Sequence, residues 1–553
     1  MIILGYSVLF PPSKPKQQTT EQTPTGVEKT DQQPKISDTT AKEHVTSDTT
    51  AAEDDNIFKS ASDGFDPYNT SENLITIKSA LFTGQIDPLG ARIVQWKLND
   101  YDEDTNNGSS KYNLLYDTPP AFNQYVVTNN INIPNPIPYS YYGTRDINIT
   151  DSKHDIEFVW KSPEGLTISK TYTIDPAGYV IGSSLKIENK TGKTLRQKVV
   201  VDTYSKTLKS EGYAKSKEFI ALVSEEVTKE SKSPEQRKQF TGKIGWVGFL
   251  DKYFLYTFLP ETGAPSTIDF YTLSGSDLVK AVYSYPPYAL KAGSTNLYKS
   301  KVYLGPLKMD KLKQAGSDLR YAMDFGWFDF LAKPVLLLLN YLNQYFNNYG
   351  ISIIVITILI RLVFLPLTIK SMTSMKKVQA KMQELKPKID ALKEKYKDDK
   401  QKQNQEMMNL YTSHGVNPLS SLGGCLPLLI QIPVFIALYE VLLNSIDLRH
   451  SQFLWIKDLS EAEVLFDIPG IGIPFRILPL AMGVSWFISQ KMTPMTTPGS
   501  EQMELQMKMM QFMPIIFTVM FWGLPSGLVL YWTVSNLLSI VQQLYVNRKA
   551  ATH

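Results

Sequence analysis

Residues 351–369 read ISIIVITILIRLVFLPLTI, and this stretch decides the class of fold. It is apolar throughout except for Arg361, and about 20 such residues cross the roughly 30 Å hydrocarbon layer of a bilayer. The arginine follows ten residues after Ile351, which is about 15 Å along a helix. A charge at the centre of a span costs about 2.5–3.5 kcal/mol on insertion scales. We therefore expect a membrane span whose arginine faces water, a partner charge or the protein interior.

Further apolar stretches on both sides of this span predict a polytopic α-helical membrane protein with a five-helix core. The other four predicted transmembrane helices are residues 425–445, 473–491, 509–524 and 527–546. Only a Leu-Pro-Ser-Gly turn separates the last two, so they should form a tight helical hairpin. Upstream, residues 325–346 surround a short leucine run with aromatic side chains, which is typical of an amphipathic helix lying at the membrane interface.

The charges of the loops predict the orientation of these spans. Residues 370–402 contain eleven lysines and five acids next to a span, which indicates a cytoplasmic location. The loop 446–472 is acidic and should be periplasmic. The tail 547–553 then returns to the cytoplasm, and everything before the first span lies outside.

The polar half of the chain predicts an all-β sandwich in the periplasm over residues 73–318. Apolar side chains alternate with polar ones in several short runs, and turn sequences such as Asp-Pro-Ala-Gly separate the runs. This region contains no cysteine, since the chain has only Cys425, and it is therefore compatible with an oxidising compartment. The five histidines show no metal-ligand spacing, and no cofactor is expected.

The N-terminal region predicts an anchor followed by a tether. Residues 1–10 are apolar but too short for a span, and we interpret them as part of an N-terminal membrane anchor helix. Residues 11–72 are rich in Pro, Thr, Gln and charged residues, so they cannot bury enough apolar surface to offset the cost of ordering them. They should form a disordered linker.

The basic loop has a regular apolar pattern of its own. Its apolar residues recur at alternating steps of three and four, which is a heptad seam, and they include Met382, Leu385 and Ile389. We expect residues 370–422 to form a helical hairpin in the cytoplasm, with Pro387 kinking its first arm or opening a helix. The alternative is that the loop is only a topology signal that contacts lipid headgroups.

Two environments are possible for Arg361. Glu440, in the next span, is the available intramembrane acid, and the two residues could form an internal salt bridge. The alternative is a hydrated cavity, and we favour it because Glu440 lies only about 8 Å from the outer end of its span. The last span supplies a polar face for such a cavity, with Trp532, Ser535 and Asn536 at helical spacing.

Several motifs resemble the YidC-type membrane protein insertases. They are FGWFDFLAKP at 325–334, QEMMNLY at 405–411, NPLSSLGGCLPLLIQIPVFIALYEVL at 417–442, LPLAMGVSWFISQKMTP at 478–494 and FMPIIFTVMFWGLPSGLVLYWTVSNLLSIVQQ at 512–543. The resemblance covers residues 325–547 in motif order and spacing. Upstream, WVGFLDKYFLYTFLP at 246–260 and VYLGPL at 302–307 resemble the periplasmic domain of the Gram-negative members.

The resemblance implies a function and a site. Members of this family insert and help to fold integral membrane proteins, alone or with the Sec translocon, and are not enzymes. Arg361 matches the arginine of the family's hydrophilic groove, which is open to the cytoplasm and to lipid. Positions that match client-contact or groove-lining residues are Thr357, Phe435, Met482, Met520 and Trp532. To the polar face of this groove we assign Gln431, Ser535, Asn536 and Glu440.

The partners implied are nascent membrane proteins, the Sec translocon, ribosome–nascent chain complexes in transient contact, and membrane lipids. No nucleic acid recognition is expected, and the family's location is the bacterial inner membrane. Three features depart from the family pattern: the N-terminal anchor at residues 1–10 is truncated, Glu440 stands where an uncharged residue is expected, and the tail lacks a long basic extension that could tether ribosomes.

Two rival classes of protein were weighed against an insertase. An intramembrane arginine can also bind the substrate of a secondary transporter, but transporters usually show repeats and discontinuous helices. A membrane-anchored carbohydrate-processing enzyme would use the β domain, which lacks a recognisable carboxylate pair. Vesicle uptake of small molecules would identify the first class, and deletion of residues 73–318 would test the second.

Overall fold

The structure is a computed structural model, and it describes residues 66–105, 108–208, 217–414, 426–469, 472, 474–492 and 501–551. These residues belong to one compact unit, Asn56–His553. The predicted anchor 1–10 and most of the predicted linker 11–72 lie outside the described residues, as do the segment 415–425 with Cys425 and the segment 493–500.

The described part of the N-terminal half forms strands. They are β1 Ile75–Lys78, β2 Phe82–Asp87, β3 Arg92–Asp102, β4 Lys111–Asn113, β5 Asn123–Thr128, β6 Asp146–Asn148, β7 His154–Lys161, β8 Leu166–Ile174, β9 Val180–Asn189, β10 Leu195–Lys206, β11 Glu218–Val223, β12 Glu226–Glu230, β13 Lys238–Gly242, β14 Ile244–Asp251, β15 Phe254–Pro260, β16 Ser266–Thr272, β17 Leu278–Ser284, β18 Tyr288–Leu290 and β19 Thr295–Pro306.

These strands make three sheets. The largest has the order β12-β11-β14-β15-β19-β9-β8-β7, the second has the order β13-β16-β17-β10-β18 with β5 also paired to β10, and the third has the order β4-β3-β2-β1-β6. The pairing is antiparallel except between β1 and β6, which are parallel. Because β6 follows β1 only after a long connection, no local pattern predicts this parallel pair.

Alternation of apolar and polar residues places the core of the β domain. On β8, Leu166, Ile168, Tyr172 and Ile174 are fully buried, while the residues between them are mostly half-buried. The strand ends where Asp175 accepts a hydrogen bond from the backbone N–H of Ala177 (3.0 Å), which forms a local turn.

Aromatic contacts show how the sheets stack. Phe219 of the eight-stranded sheet lies 4.3 Å from Phe270 of the six-stranded sheet, between ring centres. Phe258 and Tyr283 make a similar contact at 5.4 Å. These two sheets therefore form a β-sandwich, as the alternation predicts. The five-stranded sheet joins it through Ala91, whose carbonyl accepts a hydrogen bond from the Tyr172 hydroxyl (2.8 Å).

The C-terminal half is mostly helical in its described residues. The helices are α1 Met309–Ala315, α2 Asp329–Phe346, α3 Tyr349–Lys395, α4 Lys400–Ser413, α5 Leu426–Asn444, α6 Ile477–Met492, α7 Glu501–Phe521 and α8 Ser526–Ala551. A short hairpin of β20 Phe466–Asp467 and β21 Pro474–Phe475 precedes α6.

Helices occupy the positions of the five predicted spans, but the described residues establish only one of them as a span by length and composition. That helix is α3, with a mean hydropathy of 2.5 in its most apolar window, while Gln431–Asn444 and Gln511–Phe521 are shorter apolar helices. In α8 the polar residues of the predicted wet face lower the hydropathy. The five-helix core remains a prediction.

The helix α3 differs from the predicted organisation because it joins the first span to the first arm of the hairpin without a break. It begins after Asn348, whose side chain accepts a hydrogen bond from the Ile351 N–H (3.1 Å). Pro366 and Pro387 both lie inside this helix of 47 residues. Pro387 therefore does not open a new helix.

The second arm of the hairpin is α4, and it packs on the predicted seam. Met382, Leu385 and Ile389 of α3 are buried against Met407 and Tyr411 of α4. The described part of the hairpin thus has a small apolar core of its own.

The β domain is joined to the helices by contacts around the end of α5. Lys308 forms an ion pair with Asp447 (2.8 Å). Arg449 donates a hydrogen bond to the Glu103 carbonyl (2.8 Å) and lies over the rings of Tyr112 and Phe254. These contacts fix the β domain against the residues that follow α5.

Candidate functional site: a polar cavity around Arg361

A cavity of about 220 Å³ lies between α3, α6 and α8 and is bordered by α5. Its lining is polar along α8 and mixed elsewhere. The lining residues are Arg361, Thr368, Ser371, Met372, Met375, Lys376, Gln431, Trp486, Ser489, Met492, Tyr531, Trp532, Ser535, Asn536, Ser539, Gln542, Gln543, Val546 and Asn547.

Arg361 lies in this cavity with one edge of its guanidinium group held by α8. Its Nε donates to the Ser535 hydroxyl (3.0 Å), and its Nη2 donates to the Ser535 hydroxyl (2.5 Å) and carbonyl (3.1 Å). Among the described residues, no carboxylate oxygen lies within 4 Å of the guanidinium group and Nη1 has no protein acceptor. The charge is therefore held in place, and no acid of the described residues neutralises it.

The polar residues of α8 connect this helix to both neighbours. Asn536 donates to the Ser485 hydroxyl of α6 (3.3 Å), and Gln543 donates to the Ser489 hydroxyl of the same helix (3.3 Å). Gln542 donates to the Thr368 hydroxyl of α3 (2.5 Å). Because residues three or four apart share a helix face, one polar stripe both lines the cavity and binds the adjacent helices.

An aromatic cluster closes the cavity toward the start of α8. Trp532 is its centre, and its ring lies 4.9 Å from Phe435, 5.2 Å from Phe521 and 5.9 Å from Trp486. Trp486 also contacts Phe517 at 4.5 Å. The cavity thus has one polar side and one large apolar side.

The structure brings some of the predicted site residues together and separates others. Arg361, Gln431, Trp532, Ser535 and Asn536 all line the cavity. Gln431 donates a hydrogen bond to the Tyr531 hydroxyl. Phe435 and Met520 lie outside the lining: Phe435 contacts the Trp532 ring, and Met520 is partly buried against the core.

Two predicted lining residues are instead part of the helix packing. Thr357 is fully buried, and its hydroxyl donates to the Ile353 carbonyl within α3 (2.6 Å). Met482 is also fully buried, and it packs inside the core. Both face protein because they lie on the sides of α3 and α6 that neighbouring helices cover.

Glu440 does not belong to the cavity in the described structure. Its carboxylate accepts a hydrogen bond from the Asn444 side chain (2.8 Å), one turn further along α5, and it is absent from the cavity lining. The assignment of Glu440 to the polar face of the groove has no support from this cavity lining and stays a prediction. Its depth near the outer end of α5 explains the separation from Arg361.

Several lining residues were missed from the sequence. Thr368 follows Arg361 by seven residues, which is two helical turns, and this spacing could have identified it. Tyr531 and Gln542 are neighbours of predicted α8 residues on the same side. Trp486 gave no local signal, because its place in the wall depends on how α6 packs against α8 and α7.

The arrangement can hold water and an acidic side chain, and it contains no evident catalytic set. The described residues include no group of three His, Cys, Asp or Glu side chains that could hold a metal ion. A fixed cation, hydroxyl and amide groups and an aromatic wall are suited to transient binding of a polypeptide that is partly polar and partly apolar.

Comparison with known proteins first defines the class. Residues 341–553 match the family described as 60Kd inner membrane protein. Residues 74–338 match the family described as YidC periplasmic domain. The chain is therefore of the class of inner membrane proteins that carry a large periplasmic domain.

Full-length relatives then define the family. A membrane protein insertase YidC of Pelobacter propionicus is 36% identical over 495 residues, which cover 87% of this chain and 88% of the relative. Another of Geobacter sulfurreducens is 39% identical over 414 residues, which cover 72% of each chain. This chain belongs to the YidC family of membrane protein insertases. The resemblance seen in the sequence is thus confirmed, including the prediction that the family is not one of enzymes.

A solved structure described as an active YidC insertase with its first transmembrane domain resolved is also similar. It is 19% identical, overlaps 86% of this chain and 92% of that chain, and has a TM-score of 0.35.

Proposed function

We propose that this chain inserts nascent membrane proteins into the inner membrane and that the cavity around Arg361 receives the polar end of each client. The observation that carries the proposal is the placement of Arg361. It lies on the helix that is long and apolar enough to cross a membrane, lines a cavity, and has no acid beside it in the described residues.

The energetics favour a wet cavity. A buried cation is stable only when water or polar groups replace its hydration. Ser535 supplies one hydroxyl and one carbonyl oxygen. These neutral oxygens accept hydrogen bonds from two of the three guanidinium nitrogens, Nε and Nη2. The remaining donors are available for water and for a client carboxylate, which Arg binds with charge-assisted hydrogen bonds.

The client would move from this polar side to the lipid along the apolar wall. Burial of its apolar segment supplies about 25 cal/mol per Å². The membrane potential adds about 2.3 kcal/mol per 100 mV for each acidic charge that crosses outward. The cluster around Trp532 and Phe435 presents a broad apolar surface that suits many client sequences, and the nearby Met520 adds an adaptable side chain. No cofactor or nucleotide is needed.

The topology that we propose has five spans, formed by α3, α5, α6, α7 and α8. The hairpin of α3 and α4 and the C-terminal tail then face the cytoplasm, and the β domain lies in the periplasm. The basic charge of residues 370–402 supports this orientation. The helix α2 lies along the periplasmic interface, because Ala332, Val335, Leu336 and Leu339 face protein while Phe330, Tyr341 and Tyr345 are exposed.

The partners that we propose follow from this topology. The cytoplasmic hairpin would receive ribosome–nascent chain complexes, and clients too complex for one insertase would be shared with the Sec translocon. Membrane lipids would contact the apolar outer faces of the spans. The eleven lysines of residues 370–402 make the hairpin the candidate surface for ribosomes.

Substitution of Arg361 tests the proposal. Arg361→Lys should retain substantial insertion activity, because lysine keeps the charge without the planar fork. Arg361→Ala should fail mainly for clients whose translocated segment is acidic, and removal of the client's acids should restore insertion. Insertion into inverted membrane vesicles, scored by protease protection of the translocated segment, measures each combination.

Glu440→Ala supplies the matched control for a structural role of the arginine. If Arg361 were the buried partner of Glu440, Arg361→Ala would be unstable and the double variant would recover both stability and insertion. The geometry predicts the opposite, since Glu440 contacts Asn444. The groove mechanism would be contradicted if Glu440→Ala restored insertion to the Arg361→Ala variant while removal of the client's acids did not. Membership of the family would be unaffected.

A further inference from the structure

The loop between α5 and α6 has its polar and apolar side chains in unusual places. Sequence alone describes residues 446–472 as an acidic loop facing water. In the structure, however, Asp447, Asp458 and Glu463 are at most 10% exposed. Some apolar side chains of the same loop, such as Leu448, Ile456 and Leu459, are buried. Five others are exposed, and they define what we name the outer-loop patch: Leu454, Trp455, Val464, Leu465 and Phe466.

Each buried acid has a structural task. Asp447 pairs with Lys308 of the β domain (2.8 Å). Asp458 accepts hydrogen bonds from the N–H and hydroxyl groups of Ser460. Glu463 accepts from the Leu478 N–H at the start of α6 (2.7 Å) and from the Trp455 indole N–H. These three acids therefore hold the loop together, whereas its other two acids, Glu461 and Asp467, are exposed.

Leu454 shows most clearly that the exposure is built in. Phe453 and Ile456 exchange two backbone hydrogen bonds of 2.9 Å each, so Leu454 and Trp455 form the tip of a tight turn. Leu454 has φ +53° and is 75% exposed. Glycine or asparagine is usual at such a position because a branched side chain is strained there. The two backbone hydrogen bonds hold the turn, and the Leu454 side chain at its tip stays exposed.

The loop packs against the starts of two helices, and these contacts fix the level of the patch relative to the membrane. Phe453, next to the tip, packs so closely on Gly350 that a Cβ atom at Gly350 would lie 2.2 Å from the phenylalanine ring. Gly350 is in the first turn of α3, the membrane-crossing helix. Backbone hydrogen bonds from Ser526 to Glu461 (2.7 Å) and from Gly527 to Leu459 (2.9 Å) fix the loop to the start of α8. The patch is therefore held at the level where the spans begin.

We propose that the outer-loop patch inserts into the periplasmic leaflet of the membrane and acts as a second interfacial anchor beside α2. Apolar side chains with a tryptophan at the rim are the composition that the headgroup boundary of a bilayer accepts. Lys457 is exposed next to the patch and can reach phosphate groups while its chain lies against lipid. This inference rests on the proposal that α3 crosses the membrane with its first turn at the periplasmic surface.

Fluorescence quenching in proteoliposomes tests the insertion. Cys425→Ser removes the single cysteine of the chain, so one new cysteine can carry one environment-sensitive nitrobenzoxadiazole fluorophore. The test positions are Leu454→Cys and Phe466→Cys. The aqueous control is Tyr142→Cys, an exposed apolar position of the β domain, and the lipid control is Val363→Cys, an exposed position of α3.

We expect nitroxide-labelled phospholipids to quench the label at positions 454 and 466 at least twofold, as at 363, and iodide to quench it weakly. Strong iodide quenching at 454 and 466, as at 142, would show that the patch faces water and would overturn the inference. Protection from both quenchers would mean that protein covers the patch, which also overturns it. Lipid quenching at 363 without quenching at 454 and 466 rejects this inference alone, whereas loss of lipid quenching at 363 also rejects the proposed topology.

Discussion

At the scale of single residues, Lys170 on β8 has the least usual environment outside the membrane. Its Nζ is buried between sheets, donates to the carbonyls of Ala91 (2.9 Å) and Phe122 (3.3 Å), and lies 4.9 Å from the ring centre of Tyr172. No carboxylate lies within 4 Å of it among the described residues. Burial, with a smaller effect of Arg92, lowers the pKa of Lys170 to about 7.

This pKa predicts how stability depends on pH. Between about pH 7 and pH 10.5 the unfolded chain binds a proton at Lys170 that the folded chain does not, so the lysine lowers stability progressively as the pH falls through this range. Lys170→Met should therefore stabilise the β domain at pH 7 by about 1–4 kcal/mol, and its advantage should shrink toward pH 10. Urea unfolding of the full chain in detergent, followed by tryptophan fluorescence, measures the difference.

The matched control for this prediction is Lys186→Met. Lys186 lies on the neighbouring strand β9 and its side chain is 49% exposed, so its removal should change stability by less than about 1 kcal/mol. An equal effect of the two substitutions at every pH would show that burial of Lys170 is not the cause.

At the scale of elements, α6 and α7 approach each other closely at Gly483. A Cβ atom at Gly483 would lie 2.1 Å from the Thr518 hydroxyl oxygen, which donates to the Pro514 carbonyl (2.7 Å). Small residues let membrane helices approach in this way. The cavity wall depends on this approach because Trp486 of α6 packs on Phe517 of α7.

We expect Gly483→Ala to destabilise the helix core by about 1–3 kcal/mol because one side chain must move. Thr518→Ala removes the clashing oxygen and should restore most of the loss in the double variant. Gly523→Ala is the control, since nothing lies within 4 Å of a Cβ atom there. Thermal unfolding in detergent measures all four proteins, and strictly additive losses at 483 and 518 would contradict the clash.

The hairpin gives a second prediction at this scale. Replacing Met382, Leu385 and Ile389 with Ser removes most of the apolar core shared with α4, and each such loss costs about 2–5 kcal/mol in a packed core. We expect insertion to fall while the spans stay folded, with faster proteolysis near the turn that precedes α4. Unchanged insertion would show that the loop serves only as a topology signal.

Serine substitutions on the exposed face of the same arm provide the control. Gln383, Lys386 and Asp390 are exposed in α3, so replacing them tests composition and charge without removing buried contacts. If this control lost as much insertion as the seam variant, the exposed surface of the arm, and not the rigidity of the hairpin, would be what insertion requires.

At the scale of the whole molecule, the β domain is attached to the helices but is separate from the cavity. Its contacts involve Lys308, Asp447 and Arg449, and no residue of its strands lines the cavity. We predict that a chain lacking residues of about 90–300 still inserts clients, because Lys308 and the whole helical half remain. Complementation of growth in cells depleted of their own insertase measures this, with membrane levels of the shortened chain checked in parallel. Failure to complement at normal levels would assign the domain an essential role.

Local patterns predicted the parts of this molecule that depend on local contacts. Burial of Ile168 and Tyr172 follows from alternation on one strand, and burial of Leu385 follows from heptad spacing on one helix. The polar stripe that contains Ser535 was visible for the same reason. The family was also evident from continuous motifs.

Features that depend on packing between distant segments were not visible. The five-stranded sheet needs β1 to pair with β6 across a long connection, and the place of Trp486 in the cavity wall needs α6 to pack on α7. The acids of the outer loop illustrate the same limit. Glu463 reads as a solvated charge in the sequence, yet its carboxylate binds the start of α6.

The unbroken helix α3 connects the cavity directly to the cytoplasmic hairpin. At about 1.5 Å per residue it is roughly 70 Å long, with Arg361 in its first third and Leu385 about 36 Å further along. Pro366 lacks the N–H that would bind the Leu362 carbonyl, so the helix bends most easily just beyond the arginine. As far as the helix stays rigid at Pro366, a partner that tilts the hairpin also shifts Arg361. By reciprocity of coupled binding, any factor by which that partner changes the affinity for a client is the factor by which the client changes the affinity for the partner. If the client raises the affinity for this partner, departure of the client into lipid would then lower that affinity.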